Sequence, residues 1–470
     1  MLHIKIYQNG FQGKVSCERG ALLSRVLSEQ GFFVPHPCGG RGSCKKCRVS
    51  VNGVEVLACR HLLDSDATVV LPSIEQVRSE TGGDDSHRLT ERVCLCLDIG
   101  TTTLALALVS LDDKRRIRTV TSANPQRVFG SDVISRIDYC RKYGVEDLQR
   151  VVLTAVNEMI FGLCSEYGLK SVPTLYVSGN TTMLHLFFGV DCSSLGVSPY
   201  TPAFLEQKRI AGKDLGISLV EQIVSLSGIS AFVGSDIVAG IHFVGFPSSG
   251  YYNLLIDLGT NAEIALFNDK TVLCTAAAAG PCFEGANISC GMSAVDGAIF
   301  SYASAEEYSV IGGGVPKGIC ATGLIDLIAY LVRRGIVNER GCLEDDFFPV
   351  AGDVALEGRD VREFQLAKSA VRSALECLMR QGGVSFDCIE HVYVAGGFSA
   401  EINRDNAAFV GLFPEEVISK IVPVNNASLQ GTVRYALDEA SDPSWASSAQ
   451  YVDVSRDPLF SELFFKYMSF

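Results

Sequence analysis

No apolar run in this 470-residue chain approaches the roughly 20 residues that would span a bilayer. The opening MLHIKIYQNGF is short, alternates polar with apolar residues and soon meets charge, so neither a membrane partner nor a cleavable signal is expected, and the expected address is the cytoplasm. Positive charge is scarce as well. The net charge of −13 argues against nucleic acid as a partner, because phosphate backbones are held through Lys and Arg. The pattern G-x-x-x-x-G-K-[ST] occurs nowhere, which excludes a P-loop as a phosphate site. A disulfide framework is not expected either: most of the 17 cysteines lie singly in apolar segments such as VCLCLDIG, as free buried thiols do. With 47% hydrophobic and 20% charged residues, the chain suits several globular domains.

What is present begins with a small module, residues 1–73. Leu2, Ile4 and Ile6 alternate with polar residues as in a half-buried strand, Asn9-Gly10 signals a hairpin, and FQGKVSC returns as the second strand. ALLSRVLSEQG places Leu22, Leu23, Val26 and Leu27 on one helical face and ends at Gly31. CRVSVNGVEVLAC predicts a hairpin about Asn52-Gly53, and ATVVLP a last strand. Before that hairpin stands PHPCGGRGSCKKCRVS, so that Cys38, Cys44, Cys47 and Cys59 follow C-x5-C-x2-C with one later cysteine. Zinc would suit C-x2-C, yet zinc sites usually pair two such knuckles and here the fourth cysteine is single. Gly39, Gly40 and Gly42 suit a loop that brings backbone N–H groups to cluster sulfides, and the stretch resembles a plant-type 2Fe-2S ferredoxin with one extra loop residue and an early fourth ligand. Residues 1–60 carry a net +6, leaving −19 for the rest. Arg41, Lys45, Lys46 and Arg48 surround the cysteines; they would either dock an acidic electron donor or balance an anionic cluster. Residues 74–92, polar and Gly-containing, read as a linker.

Beyond it the chain repeats itself. LCLDIGTTTLALAL (95–108) and LLIDLGTNAEIAL (254–266) are each a buried strand ending in Asp, a Gly-Thr turn and a returning apolar strand, with Asp98 and Asp257 159 residues apart. Two such hairpins predict a domain of two similar halves, about 93–250 and 251–470. A glycine turn brings backbone N–H groups to phosphate oxygens, hydroxyls add donors, and a strand-end Asp can hold Mg²⁺ through water. VYVAGGFS (392–399) is a strand entering a double-glycine turn.

This arrangement resembles the acetate and sugar kinase, chaperone and actin superfamily, which implies an α/β actin-like ATPase domain behind a β-grasp 2Fe-2S ferredoxin domain, an α+β chain in all. The resemblance places Asp98, Gly100, Thr101, Thr102 and Thr103 in one phosphate motif and Asp257, Gly259, Thr260, Asn261 and Glu263 in the other. Gly396, Gly397 and Phe398 fall in its adenosine motif. Asp236 matches the position of a catalytic base, or else is a helix N-cap. Asn180 and Thr181 of SGNTTMLHLFFG and Glu284 of GPCFEGANI are further nucleotide contacts, though each segment is also ordinary strand-to-helix punctuation.

Together, the cluster module and the clamp resemble reductive activators of corrinoid-dependent enzymes, the match running through NPQRVFGSDVISRI (124–137), GNTTM, DLGTNAE, GPCFEGANI and VAGGFS. The resemblance implies ATP, Mg²⁺ and a 2Fe-2S cluster as cofactors, and return of an oxidised cobalt(II) corrinoid protein of a methyltransferase to cobalt(I). It also implies a low-potential ferredoxin or flavodoxin as donor. The chain is short for that architecture, with little room for an extra middle domain, which leaves a homodimer arrangement open. The alternative is a small-molecule kinase of the same fold with a redox-sensing cluster domain.

Overall fold

The computed structural model describes residues 1–8, 11–29, 34, 42, 47–71, 92–130, 132–396, 402–438 and 444–470. The N-terminal module is a five-stranded sheet of β1 (Leu2–Gln8), β2 (Phe11–Cys17), β3 (Arg48–Val51), β4 (Val54–Leu57) and β5 (Ala67–Val70), in the order β2-β1-β5-β3-β4. β1 and β5 pair in parallel at its middle. The helix Leu23–Glu29 crosses it and buries Leu23, Val26 and Leu27 with Ile4, Ile6, Val49 and Val69, which is the β-grasp arrangement. Asn52 and Gly53 both take positive φ, 51° and 84°, as the mirror-image turn of a two-residue hairpin requires. Asn9-Gly10, Gly31 and most of the expected linker lie outside the described residues.

The chain divides into two compact units, Met1–Ser225 and Leu226–Phe470. In the first, β6 (Val93–Ile99), β7 (Thr103–Ser110), β8 (Arg115–Ala123), β9 (Val172–Gly179), β10 (Arg209–Ala211) and β11 (Val220–Ser225) form one sheet ordered β10-β11-β9-β6-β7-β8. β6 is antiparallel to β7 on one side and parallel to β9 on the other. Helices Val133–Tyr143 and Glu146–Tyr167 connect β8 to β9, and Thr181–Phe188 follows β9. Because β6 is sandwiched, it reads as an unbroken apolar run up to Asp98.

The second unit repeats this wiring. β12 (Tyr252–Leu258), β13 (Ala262–Phe267) and β14 (Val272–Ala277) form the meander. Then come a small sheet of β15 (Ala298–Tyr302), β16 (Tyr308–Val310) and β17 (Gly318–Ile319), the helix Ala321–Arg333, a hairpin of β18 (Phe347–Ala351) and β19 (Val354–Glu357), and the helix Gly358–Gly382. β20 (Ile389–Ala395) and β21 (Ile421–Pro423) complete the main sheet, with β22 (Gln450–Tyr451) at its far edge: β21-β20-β12-β13-β14-β22. In both sheets the first strand is central, flanked by its own meander and by the next parallel strand. The duplication read from two short motifs is thus a duplication of five strands, β11-β9-β6-β7-β8 and β21-β20-β12-β13-β14, with β10 and β22 added at opposite edges. Among the described residues no helix is long and apolar enough to cross a membrane.

Helix Ser235–Val244 packs against helix Ala427–Leu437 at backbone distance, since a Cβ on Gly431 would stand 1.8 Å from the Ala239 carbonyl oxygen. Gly431→Ala is therefore expected to lower stability by about 2 kcal/mol or more, read as a shifted urea midpoint, because neither helix can give way without leaving its sheet.

Candidate functional site

In the first unit the hairpin closes at the pair Ile99↔Leu104, and Gly100 N–H donates to the Thr103 carbonyl at 3.0 Å. Asp98 lies between Ala105 of β7 and Ser178 of β9. The turn is braced from outside the hairpin. Asn124 gives its backbone N–H to the Thr102 carbonyl and its side-chain amide to the Gly100 carbonyl, both at 2.8 Å. Arg136 Nη2 donates to the Thr101 carbonyl at 2.5 Å, and Asn180 Nδ2 to Thr101 Oγ1 at 3.1 Å. Three successive carbonyls are thereby tied, which sets the peptide planes of the turn before any ligand arrives. Arg136 is fully buried; its Nε donates to the Gly130 carbonyl at 3.0 Å and its Nη1 meets Met183 Sδ at 3.0 Å. Segment 124–137 matters in the sequence only as part of a resemblance. The signal that could have marked its residues is two strongly polar groups, Asn124 and Arg136, in positions the strand-helix pattern buries.

The second hairpin closes at Leu258↔Ala262, one residue tighter, with Gly259 N–H donating to the Asn261 carbonyl at 3.0 Å. Asp257 lies between Glu263 of β13 and Ala395 of β20. Thr260 N–H donates to Glu284 Oε1 at 2.9 Å, while Thr260 Oγ1 is buried with no hydrogen-bond partner among the described residues. A buried hydroxyl without a partner in a glycine turn fits a ligand that brings its own oxygen. The Glu263 carboxyl is pushed well above the usual carboxylate range, chiefly by burial, then by Asp236 and Asp257, with Glu284 adding to them. The structure thus brings Asp236, Asp257, Glu263 and Glu284 into one electrostatic neighbourhood.

Asp236 is not the cap of its helix. Gly234 takes the N-cap position, and Asp236 stands in the first turn, where its Oδ1 accepts the Ile237 N–H at 2.9 Å. The sheet registers reveal a further correspondence. Gly179 ends β9 beside Ile99, and Gly396 follows β20 beside Leu258; a Cβ on either would strike the carbonyl oxygen of that neighbour, at 2.7 and 2.5 Å. Gly179 of one half and Gly396 of the other thus occupy equivalent places, with Asn180 capping helix Thr181–Phe188 by accepting the Met183 N–H. Gly397 and Phe398 lie outside the described residues.

Of the four cysteines, Cys38 and Cys44 lie outside the described residues, and Cys47 and Cys59 are buried with their Sγ atoms 3.3 Å apart. Two thiolates on one tetrahedral metal, each about 2.3 Å away, stand roughly 3.7 Å apart, so this pair fits ligation of a single metal atom with little movement. Among the described residues no group of three or more His, Cys, Asp or Glu side chains is arranged to hold a metal.

Two sheets of the same wiring, each ending its central strand in an Asp and a braced glycine turn, define a nucleotide-binding fold of the actin-like class. Residues 93–249 match the family model described as the RACo middle region, and residues 252–470 that of the C-terminal domain of RACo, the ASKHA domain. The chain belongs to the RACo family of reductive activators. The stretch expected to be the first half of the ATPase domain is thus the one the family describes as its middle region. The chain is 28% identical to the corrinoid activation enzyme RamQ of Eubacterium limosum, across 96% of each protein. That alignment runs over 575 positions, more than this chain has residues, so the relative carries insertions that this chain lacks. Similarity to the [Co(II) methylated amine-specific corrinoid protein] reductase of Methanosarcina barkeri is 25% over 71% of this chain and 68% of that protein. A solved structure of a reductive activator for corrinoid, iron-sulfur protein superposes with a TM-score of 0.73 at 26% identity, covering 99% of this chain and 98% of the other.

Proposed function

We propose that this protein is an ATP-dependent reductive activator that passes one electron to the cobalt(II) corrinoid of a methyltransferase corrinoid protein and so restores cobalt(I). The observation that carries the reading is the union, in one chain, of a β-grasp module holding the close pair Cys47 and Cys59 with a duplicated fold whose turns suit phosphate. The names of the relatives point the same way. Held by Cys38, Cys44, Cys47 and Cys59, a 2Fe-2S cluster would supply the one-electron chemistry. Plant-type clusters near −400 mV are weak donors for a low-potential cobalt couple. Nucleotide can help only by binding one conformation of the complex better than another.

The chain's own residues divide that work. Turns 100–103 and 259–261 offer N–H groups and hydroxyls to phosphate oxygens; Asn180, Thr181 and Glu284 flank them, and the Gly396, Gly397 and Phe398 turn takes the adenosine. Asp98 and Asp257 would hold Mg²⁺ through water, and Asp236 orients the attacking water beside Glu263. A low-potential ferredoxin or flavodoxin docks on the basic face about the cysteines. Arg48 of that group is paired with Glu55 at 2.5 Å.

The test is anaerobic: reduced protein and Mg-ATP are mixed with cobalt(II) corrinoid protein, and the cobalt(I) absorption is followed. ATP-dependent growth of that band is expected. Phosphate transfer to a small acceptor, with no change at cobalt, would establish the kinase alternative instead.

A further inference from the structure

We propose that Glu284 is a positioning carboxylate that holds the Thr260 amide and yields it to a nucleotide phosphate, reporting nucleotide entry to the loop 285–291. This rests on the reading of turn 259–261 as a phosphate turn. The Thr260 N–H is a single donor, and Glu284 Oε1 accepts it at 2.9 Å. The same oxygen stands 3.2 Å from where a Cβ of Gly259 would be, so the carboxylate lies against the turn itself. A phosphate oxygen seated on that N–H competes with a like charge for one proton. Both cannot hold it.

The matching turn of the first unit is braced differently, by the cation of Arg136 and the neutral amides of Asn124 and Asn180, none of which repels phosphate. A purely structural tie at Thr260 would be served by such an amide; a carboxylate adds a repulsion toward phosphate that the ties of the first turn lack.

Glu284 can move its side chain but not its base. It ends the turn Pro281–Glu284, whose Cys282 and Phe283 are buried in the core, with Phe283 edge-on to Phe364 of helix Gly358–Gly382 at 6.1 Å. The next residue, Gly285, has φ 76° and leads into a loop tied to that helix through Asn287 to Glu363 and Ser289 to Asp360. Release of Glu284 therefore frees its carboxylate at the head of loop 285–291, and exchange across that loop reads the change.

The test uses the full chain, with Mg-ATP and adenosine as probes in titration calorimetry, and hydrogen exchange across 280–291. Glu284→Gln keeps shape and removes charge. It is expected to bind ATP about tenfold more tightly, the difference between a charge-assisted and a neutral competitor, with adenosine affinity unchanged. ATP should alter exchange across 280–291 in the parent and much less in the variant. Unchanged or weaker ATP binding by Glu284→Gln overturns the proposal. Thr260→Pro, which removes the N–H itself, separates the two levels. If it leaves ATP affinity intact, the phosphate reading of that N–H fails and the proposal with it; if it weakens ATP while Glu284→Gln fails to tighten it, only the role of Glu284 is lost.

Discussion

Replacing Cys59 by serine is expected to separate the two activities of the chain. Its thiol is buried 3.3 Å from that of Cys47, and a hydroxyl at that position is a poor ligand for a soft metal site. Bound iron and its visible absorption should fall, and cobalt(I) formation should drop by roughly 100-fold or more, since even outer-shell changes at metal sites cost 10- to 100-fold. ATP turnover should be unaffected, because Cys59 lies in the turn after β4, in the core of the β-grasp module, and not in either sheet carrying a phosphate turn. Iron analysis, the cobalt(I) band and phosphate release measured on one preparation decide it. Loss of ATP turnover together with the iron would mean that the modules do not work separately.

The second large effect is expected at Arg136. Arg136→Met keeps the volume but strips the Thr101 and Gly130 carbonyls of their donor in a fully buried setting. At about 1 kcal/mol or more for each carbonyl left unpaired, ATP affinity should fall roughly 30-fold. Arg136→Lys should recover part of it, having a cation but not the planar fork that reaches two carbonyls at once. Titration calorimetry with Mg-ATP measures both. A loss of stability with unchanged affinity would reduce Arg136 to a core residue.

These two residues mark how far the sequence is legible. The paired D-x-G-T hairpins are local patterns, written within a few residues, and the strands and turns they announce are where the sequence places them; of the cysteine stretch, Cys38 and Cys44 lie outside the described residues. Sheet order is not local: ATVVLP reads as a strand, but nothing in it says that it lies between β1 and β3. Arg136 is opaque for the same reason, because the two backbone carbonyls it holds are 6 and 35 residues away in the chain, and no side-chain pattern advertises a carbonyl. The correspondence of Gly179 with Gly396 is hidden because the residues that follow them in the sequence, NTT and GFS, share no residue type. Only the common approach to a neighbouring strand's carbonyl relates them. Asp236 misleads in the opposite direction: Ser-Asp before an apolar run is what an N-cap looks like, but a preceding glycine takes the cap.

The residue opposite Asp98 is Ala105, and the residue opposite Asp257 is Glu263. Duplication copied a scaffold, and one copy then gathered the acids while the other kept a small apolar residue at the matching register. The ancestral symmetry survives as architecture and is gone as chemistry. Under the proposed function the two halves would therefore present unequal charge to one nucleotide, the second bringing Asp236, Asp257, Glu263 and Glu284 together.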